Sequence, residues 1–167
     1  WPVPLNNEPP PRALPLTSLS GVVRSPSMSP DGSHVVFTWT GAKQDNSDLY
    51  VQQIGAGSPM RLTTDLNNDY SPSWSPDGRT IAFLRREPAG GKSEVRLIAP
   101  LGGSERKLAD IQPGAPAYRP TSIAWCPDSR CVLVTDSPGD GKPDGVFVIS
   151  LDTGEKHQLT YPPVFDA

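Results

Sequence analysis

The stretch "SPSWSPDGRTIAF", residues 71–83, decides the fold, because the chain writes it more than once. Upstream, residues 25–37 read "SPSMSPDGSHVVF"; downstream, residues 122–134 read "SIAWCPDSRCVLV". Met28, Trp74 and Trp125 hold the same place in the phrase, at spacings of 46 and 51 residues. A second mark recurs with it: Leu16-Thr17, Leu62-Thr63, Leu108-Ala109 and Leu159-Thr160. A fixed internal period of this length points to a repeat architecture.

The turn chemistry inside the phrase is specific. Pro presets φ at the second position of a tight turn, Asp bonds nearby backbone N–H groups at the third, and Gly takes the positive φ that follows. Ser29-Pro30-Asp31-Gly32 and Ser75-Pro76-Asp77-Gly78 therefore read as hairpin turns. The runs after them, "HVVF" and "TIAFL", are short, apolar and β-rich. Third strands follow at 49–54, 94–99 and 145–150, then Gly-containing turns and fourth strands "MRLT", "RKLA" and "HQLT". No segment carries a helical period over ten residues. Four short antiparallel strands in each unit of ~45 residues describe a blade, and the fold class is an all-β propeller of four-stranded blades. A β-sandwich also has many short strands, but its turns do not repeat their chemistry at a fixed period.

With these residues in view, the sequence resembles the TolB-type propeller family, whose repeat runs Trp-Ser-Pro-Asp-Gly, apolar strand, Leu-Tyr, Leu-Thr. Trp74 to Gly78, Leu49-Tyr50 and Leu62-Thr63 match as written, and the resemblance extends over 12–167. Met28 replaces the Trp in the first unit, and Ser129 replaces the Gly in the third. The wording "KQDNSDLYV", "RLTTD" and "FLRRE" also resembles propellers attached to bacterial serine/threonine protein kinases and winged-helix regulators. That resemblance implies a periplasmic or extracytoplasmic sensor, membrane-anchored in a parent signalling protein, with no catalysis of its own. The alternative it leaves open is the accessory propeller of a peptidase or hydrolase whose catalytic domain lies outside the chain.

The expected domain layout is a Pro-rich linker over 1–11 and a partial propeller over 12–167. Its blades span about 22–64, 70–110 and 119–160, with a strand of a further blade at 161–167. A chain that opens "WPVPLNNEPPPR" reads as a piece of something longer. Three blades form an open arc or part of a roughly six-bladed ring, since propellers close with about four blades or more. Apolar flanks left open would be covered by further blades, or by a second copy in a homodimer.

Composition narrows the function. Apolar residues make up 35% and charged residues 20%, both low for a compact enzyme, while 21 Pro and 15 Gly fall at regular turn positions. The net charge of −3, without a basic run, argues against nucleic acid. No apolar stretch approaches the ~18–20 residues of a membrane span, so direct membrane insertion of this segment is not expected.

Catalytic motifs are missing. There is no G-x-S-x-G elbow and no kinase H-R-D or D-F-G. "GGKSE" at 90–94 lacks the earlier Gly of a phosphate loop, the position being Arg86. His34 and His157 have no partner at metal-ligand spacing. Asp136, Asp140 and Asp144 stand in a Gly-rich loop that does not follow the EF-hand pattern. No cofactor and no metal is expected.

Cys126 and Cys131 flank the third turn. If four residues close the hairpin, the thiols face one another and can form a disulfide; if three close it with a bulge, they point to opposite faces. Pattern does not choose between a disulfide and buried free thiols. C-x-x-C is not present, so a metal pair or redox motif is not expected.

Trp39, Tyr50, Trp74, Phe83, Trp125 and Phe147 fall on strands and read as blade-to-blade core. Loops between second and third strands (40–48, 86–93, 135–144) and connections between units (65–70, 110–121) are long and share one rim of a propeller. A binding rim of Asp45, Asp48, Asp69, Tyr70, Arg85, Arg86, Tyr118 and Arg119, with Asp65, Asn67 and Asn68 beside it, is expected to meet a protein or peptide partner.

Overall fold

A computed structural model describes residues 15–43, 46–55, 57–86, 92–112, 122–139 and 143–161. These form three four-stranded antiparallel sheets, each in simple chain order. The first contains β1 (Val23–Met28), β2 (His34–Trp39), β3 (Asp48–Gln53) and β4 (Met60–Arg61). The second contains β5 (Asn68–Trp74), β6 (Ile81–Arg86), β7 (Ser93–Ile98) and β8 (Arg106–Ile111). The third contains β9 (Ala124–Trp125), β10 (Cys131–Asp136), β11 (Gly145–Ser150) and β12 (Lys156–Gln158). The arrangement is a partial β-propeller of three blades.

The turns behave as their residues dictate. In the first unit the Gly32 N–H donates to the Ser29 carbonyl at 2.9 Å, and the Ser29 N–H donates to the His34 carbonyl at 2.9 Å. Gly32 sits at φ 71° and Gly78 at φ 72°, the left-handed region where a Cβ is costly. Ser129 takes the glycine's place in the third unit and adopts the same conformation, at φ 60°. Its N–H donates to the Cys126 carbonyl at 2.9 Å, as the Gly32 N–H does to Ser29, and its Oγ accepts from the Asp77 N–H of the preceding blade at 3.1 Å.

The core lies between blades. Val36, Leu49, Val51 and Leu62 of the first sheet pack on Ile81, Phe83 and Ile98 of the second. Ala82, Leu84, Val95 and Leu97 of the second pack on Val132, Val134, Phe147 and Ile149 of the third. Ile81, Ala82, Phe83 and Leu84 of β6 are all wholly buried, which is why that strand shows a continuous apolar run instead of alternation. Trp125 adds a directional tie, its indole N–H donating to the Ser73 carbonyl at 3.0 Å. On the outer face of the first sheet, Val35, Phe37 and Tyr50 cluster with Leu19, Val23 and Trp39, and the Trp39 indole donates to the Ser20 carbonyl at 2.6 Å. Leu16 and Thr17 are not in a strand; the Leu16 carbonyl faces Gln52 Nε2 of β3 at 3.4 Å.

Candidate functional site

At the end of the arc opposite the Pro-Asp-Gly turns, the described loops between second and third strands are tied to connections between units: the first unit's loop to the connection leaving that unit, and the third unit's loop to the connection entering it. Asn46 Nδ2 donates to the Asp65 carbonyl at 2.7 Å, and the Asp69 N–H donates to the Ser47 carbonyl at 2.7 Å. In the third unit the Ser137 N–H donates to the Gln112 carbonyl at 3.0 Å. Asp136, wholly buried, accepts from the Gln112 N–H at 2.6 Å and pairs with Lys156. That role is structural, so this carboxylate is committed within the blade.

Of the expected rim residues, the structure takes three out of reach. β5 begins at Asn68 and β6 ends at Arg86, so Asp69 and Arg85 are strand residues, not loop residues. Asp69 is wholly buried and Arg85 is 5% exposed. Arg85 Nε and Nη2 grip Asp69 in a fork at 2.7 and 2.9 Å. Its remaining N–H groups reach Glu105 at 2.6 and 3.1 Å and Asp65 at 3.2 Å. Arg96 extends the network, donating to Glu105 at 2.9 Å and Glu94 at 2.5 Å. The Arg85 guanidinium also lies 5.4 Å from the Phe83 ring centroid.

Burial pushes the Asp69 carboxyl up to about 6, against the pull of Arg85 and Thr63, whose hydrogen bonds favour the ionised form. Asp48 opens β3, is 2% exposed, and pairs with Arg61 at 2.5 Å. Asp48 is tied within the first unit, and Asp69 and Arg85 within the second, so the charges of all three are met by partners inside the chain. Tyr70 is half-buried, its hydroxyl 2.7 Å from Ser93 Oγ, and burial raises its pKa. Arg86 is half-exposed at the end of β6. Asp45, Tyr118 and Arg119 lie outside the described residues.

A feature that the loop lengths do not reveal sits on the inner strands. A cavity of about 420 Å³ is lined by Ser25, Pro26, Ser27, Ser71, Pro72, Ser73, Ser122 and Ile123, one group from each blade. Ser25 and Ser71 adopt φ 51° and 50°, an uncommon choice for a residue with a Cβ. Each falls where the first strand shifts register against the second, between Arg24 and Ser27 and between Tyr70 and Ser73. Proline cannot donate to a ladder, and a bulge is where a strand accommodates it. The bulged segments line the cavity, while Ser27 Oγ accepts from the Trp74 N–H at 3.2 Å and the Ser73 carbonyl accepts from the Trp125 indole. The recurring "SPS" before Met28 and Trp74 is the sequence signal for it. The lining offers hydroxyl donors and acceptors without formal charge, which suits contacts to polar, uncharged main-chain groups.

At the turn end, Cys126 and Cys131 are joined as a disulfide, with Cα atoms 5.2 Å apart. The Cys126 N–H donates to the Cys131 carbonyl at 2.9 Å, so four residues close the hairpin and the side chains face each other.

Comparison with known proteins adds the family. The TolB beta propeller domain model matches residues 12–109, the first two blades with their approach. The chain belongs to the TolB beta propeller domain family. TolB from Acinetobacter baumannii superposes at a TM-score of 0.70 with 20% identity, over 87% of this chain and 34% of that one. Among curated relatives, the uncharacterized peptidase YuxL of Bacillus subtilis is 31% identical over 85% of this chain and 20% of its own length. Dipeptidyl-peptidase 5 of Porphyromonas gingivalis is 26% identical over 90% of this TolB-family chain and 22% of its own length. The chain thus spans about a fifth of these peptidases.

Proposed function

We propose that this chain is part of the non-catalytic propeller of a larger peptidase, in which hydrolysis belongs to a domain outside these residues. The observation that carries the reading is the match to YuxL and dipeptidyl-peptidase 5 over most of this chain and only a fifth of theirs. The chemistry of the chain agrees with it. The sequence has no nucleophile elbow. The cavity on the inner strands presents hydroxyls and backbone groups from three blades. In this role that lining receives an extended peptide by its main chain, largely independently of its side chains, on the way to the catalytic domain. Arg86 and Tyr70 are the described residues of the proposed rim on which the catalytic domain or the peptide docks. The Cys126–Cys131 bond suits an oxidising compartment, and the proposed location is extracytoplasmic.

The sensor of a serine/threonine kinase, which the wording of the loops suggests, has no counterpart in the relatives described above, whereas the peptidase reading has two. The test is to treat the full-length protein that carries this chain with a fluorophosphonate and map the modified residue. The expected result is one labelled serine in a G-x-S-x-G motif outside the 167 residues, with peptide hydrolysis lost on labelling, and no hydrolysis by the isolated chain. A full-length protein that takes no label and cleaves no peptide removes the peptidase reading and leaves a binding module for a protein or peptide partner. Sedimentation of the chain then asks whether two copies pair through their blade flanks.

A further inference from the structure

The three turns that join first and second strands follow one template, and the third unit places cysteine at two of its positions. In the first unit the Ser29 hydroxyl donates to Asp31 Oδ1 at 2.6 Å and accepts from the His34 N–H at 2.9 Å. In the second, the Ser75 hydroxyl donates to Asp77 Oδ1 at 2.6 Å and accepts from the Thr80 N–H at 3.0 Å. The template therefore places the first side chain between the turn carboxylate and the residue five positions on. In the third unit these positions are Cys126, Asp128 and Cys131. Asp128 keeps its place, accepting from the Arg130 N–H at 3.0 Å as Asp31 does from Ser33 and Asp77 from Arg79 at the same distance. A carboxylate oxygen of Asp128 and both sulfurs lie within 4.8 Å of one another.

We propose that this turn is a redox-gated site for a thiophilic divalent cation, closed while the Cys126–Cys131 bond is intact and open once it is reduced. Opening takes two electrons from a dithiol or a phosphine. The S–S bond breaks and each sulfur takes a proton: a dithiol gives up its own two protons and leaves as its disulfide, whereas a phosphine leaves as its oxide, with water supplying the oxygen and both protons. Entry of the ion displaces both protons, leaving two thiolates and one carboxylate around the metal with water in the fourth position. Two thiolates select zinc or cadmium over magnesium or calcium. Tetrahedral bonds of about 2.3 Å to sulfur and 2.0–2.2 Å to oxygen set ligand atoms roughly 3.5 Å apart. All three ligand atoms already lie within 4.8 Å of one another on a single turn.

The surroundings fit as well. The Arg130 N–H orients Asp128, as partners of metal ligands do. Cys126 and Cys131 are half-buried and Asp128 is exposed, which gives the ion a path from solvent. The Asp77 N–H, bonded to Ser129 Oγ, buttresses the loop from the neighbouring blade. C-x-x-C spacing plays no part, because the third ligand is the turn's own Asp.

The competing behaviour is that reduced Cys126 acts as serine does in the other turns, bonding Asp128 and holding no ion. The experiment uses the 167-residue chain, in which these are the two cysteines. The chain is reduced with a phosphine, desalted without oxygen, and titrated with cadmium while the thiolate-to-cadmium absorption in the ultraviolet is followed. Binding should saturate at one cadmium per chain and be undetectable before reduction. It should also be undetectable in the double variant C126S/C131T, which rebuilds the Ser75 and Thr80 pair of the second unit and so retains the turn. D128N should weaken binding at least ~10-fold. The proposal is overturned by a reduced chain that gives no band, by one cadmium per two chains, by D128N binding as tightly as the parent, or by loss of the β-sheet circular dichroism on reduction.

Discussion

Replacing Arg85 with Leu should be among the most damaging single changes in the chain, and its cost should depend on pH in a defined direction. Arg85 and Asp69 are 5% and 0% exposed, and the guanidinium meets the carboxylate through two bonds of 2.7 and 2.9 Å. The other partners need Arg85 less: Glu105 keeps Arg96 at 2.9 Å, and the Asp65 side chain is 37% exposed. The loss therefore concentrates on Asp69, left ionised in a dry site. Breaking a buried pair from one side costs about 3–5 kcal/mol, against a total stability of roughly 5–15 kcal/mol for a domain.

Burial already holds the Asp69 carboxyl at about 6, above its ordinary 3.8. A raised carboxyl favours the fold when protonated, so its contribution is complete below about pH 4 and is lost as pH rises through 6. Without Arg85 the carboxyl rises further, so the R85L penalty is largest near pH 8 and shrinks toward pH 5. Urea unfolding of parent, R85L, D69V and D69V/R85L at both pH values measures this. The double variant should regain most of the loss, because an apolar pair can replace a buried ionic one. A penalty below about 1 kcal/mol, as for a surface pair, or one that grows toward pH 5, would refute the reasoning.

Two further outcomes follow from the turns. Ser129 sits at φ 60° and accepts from the Asp77 N–H, so S129A keeps the strain and loses the bond, costing about 1 kcal/mol in thermal melts, whereas S129G relieves what it forfeits and should stay within about 0.5 kcal/mol of the parent. Asp31 is held down to about 2, first by the Ser29 hydroxyl and then by Ser33; an NMR titration should find that low midpoint and see it rise in S29A, and the turn's preference for the ionised form should fade as pH falls toward 2.

The local part of this fold is legible from residues because it is written in backbone chemistry. Pro-Asp-Gly sets its own dihedral angles, so the turns and the period follow without knowledge of neighbours. The ion-pair hub is different. Asp69 and Arg85 stand at the edges of segments that read as loops, and charged residues there are ordinarily solvated. One signal pointed inward: counted from the Pro-Asp-Gly turn, Arg85 takes the strand position of Trp39, whose ring packs on Tyr50 at 4.9 Å. A charged residue at an aromatic's position needs a buried partner, but which carboxylate supplies it depends on a cross-strand register, Asp69 opposite Arg85, that one sequence does not state. The cysteine pair failed to resolve for the same reason, since both loop lengths fit the pattern until the Cys126 N–H and the Cys131 carbonyl were seen to pair.

The same logic separates the blades by how far their rim can be altered. The middle sheet is buried on both faces, with Ile81 and Phe83 toward one neighbour and Ala82 and Leu84 toward the other. Its rim charges are drawn inward, where Arg85 serves as a fastener within the second unit. The third sheet has one face packed and the other half-buried, with Leu133, Val146 and Val148 alternating against Val132, Val134 and Phe147. In a structure built from nearest-neighbour contacts, a perturbation is felt chiefly by the units on either side of it. Substitutions on the middle rim therefore act first on stability, and only residues such as Arg86 that stay half-exposed can report on recognition without that confusion.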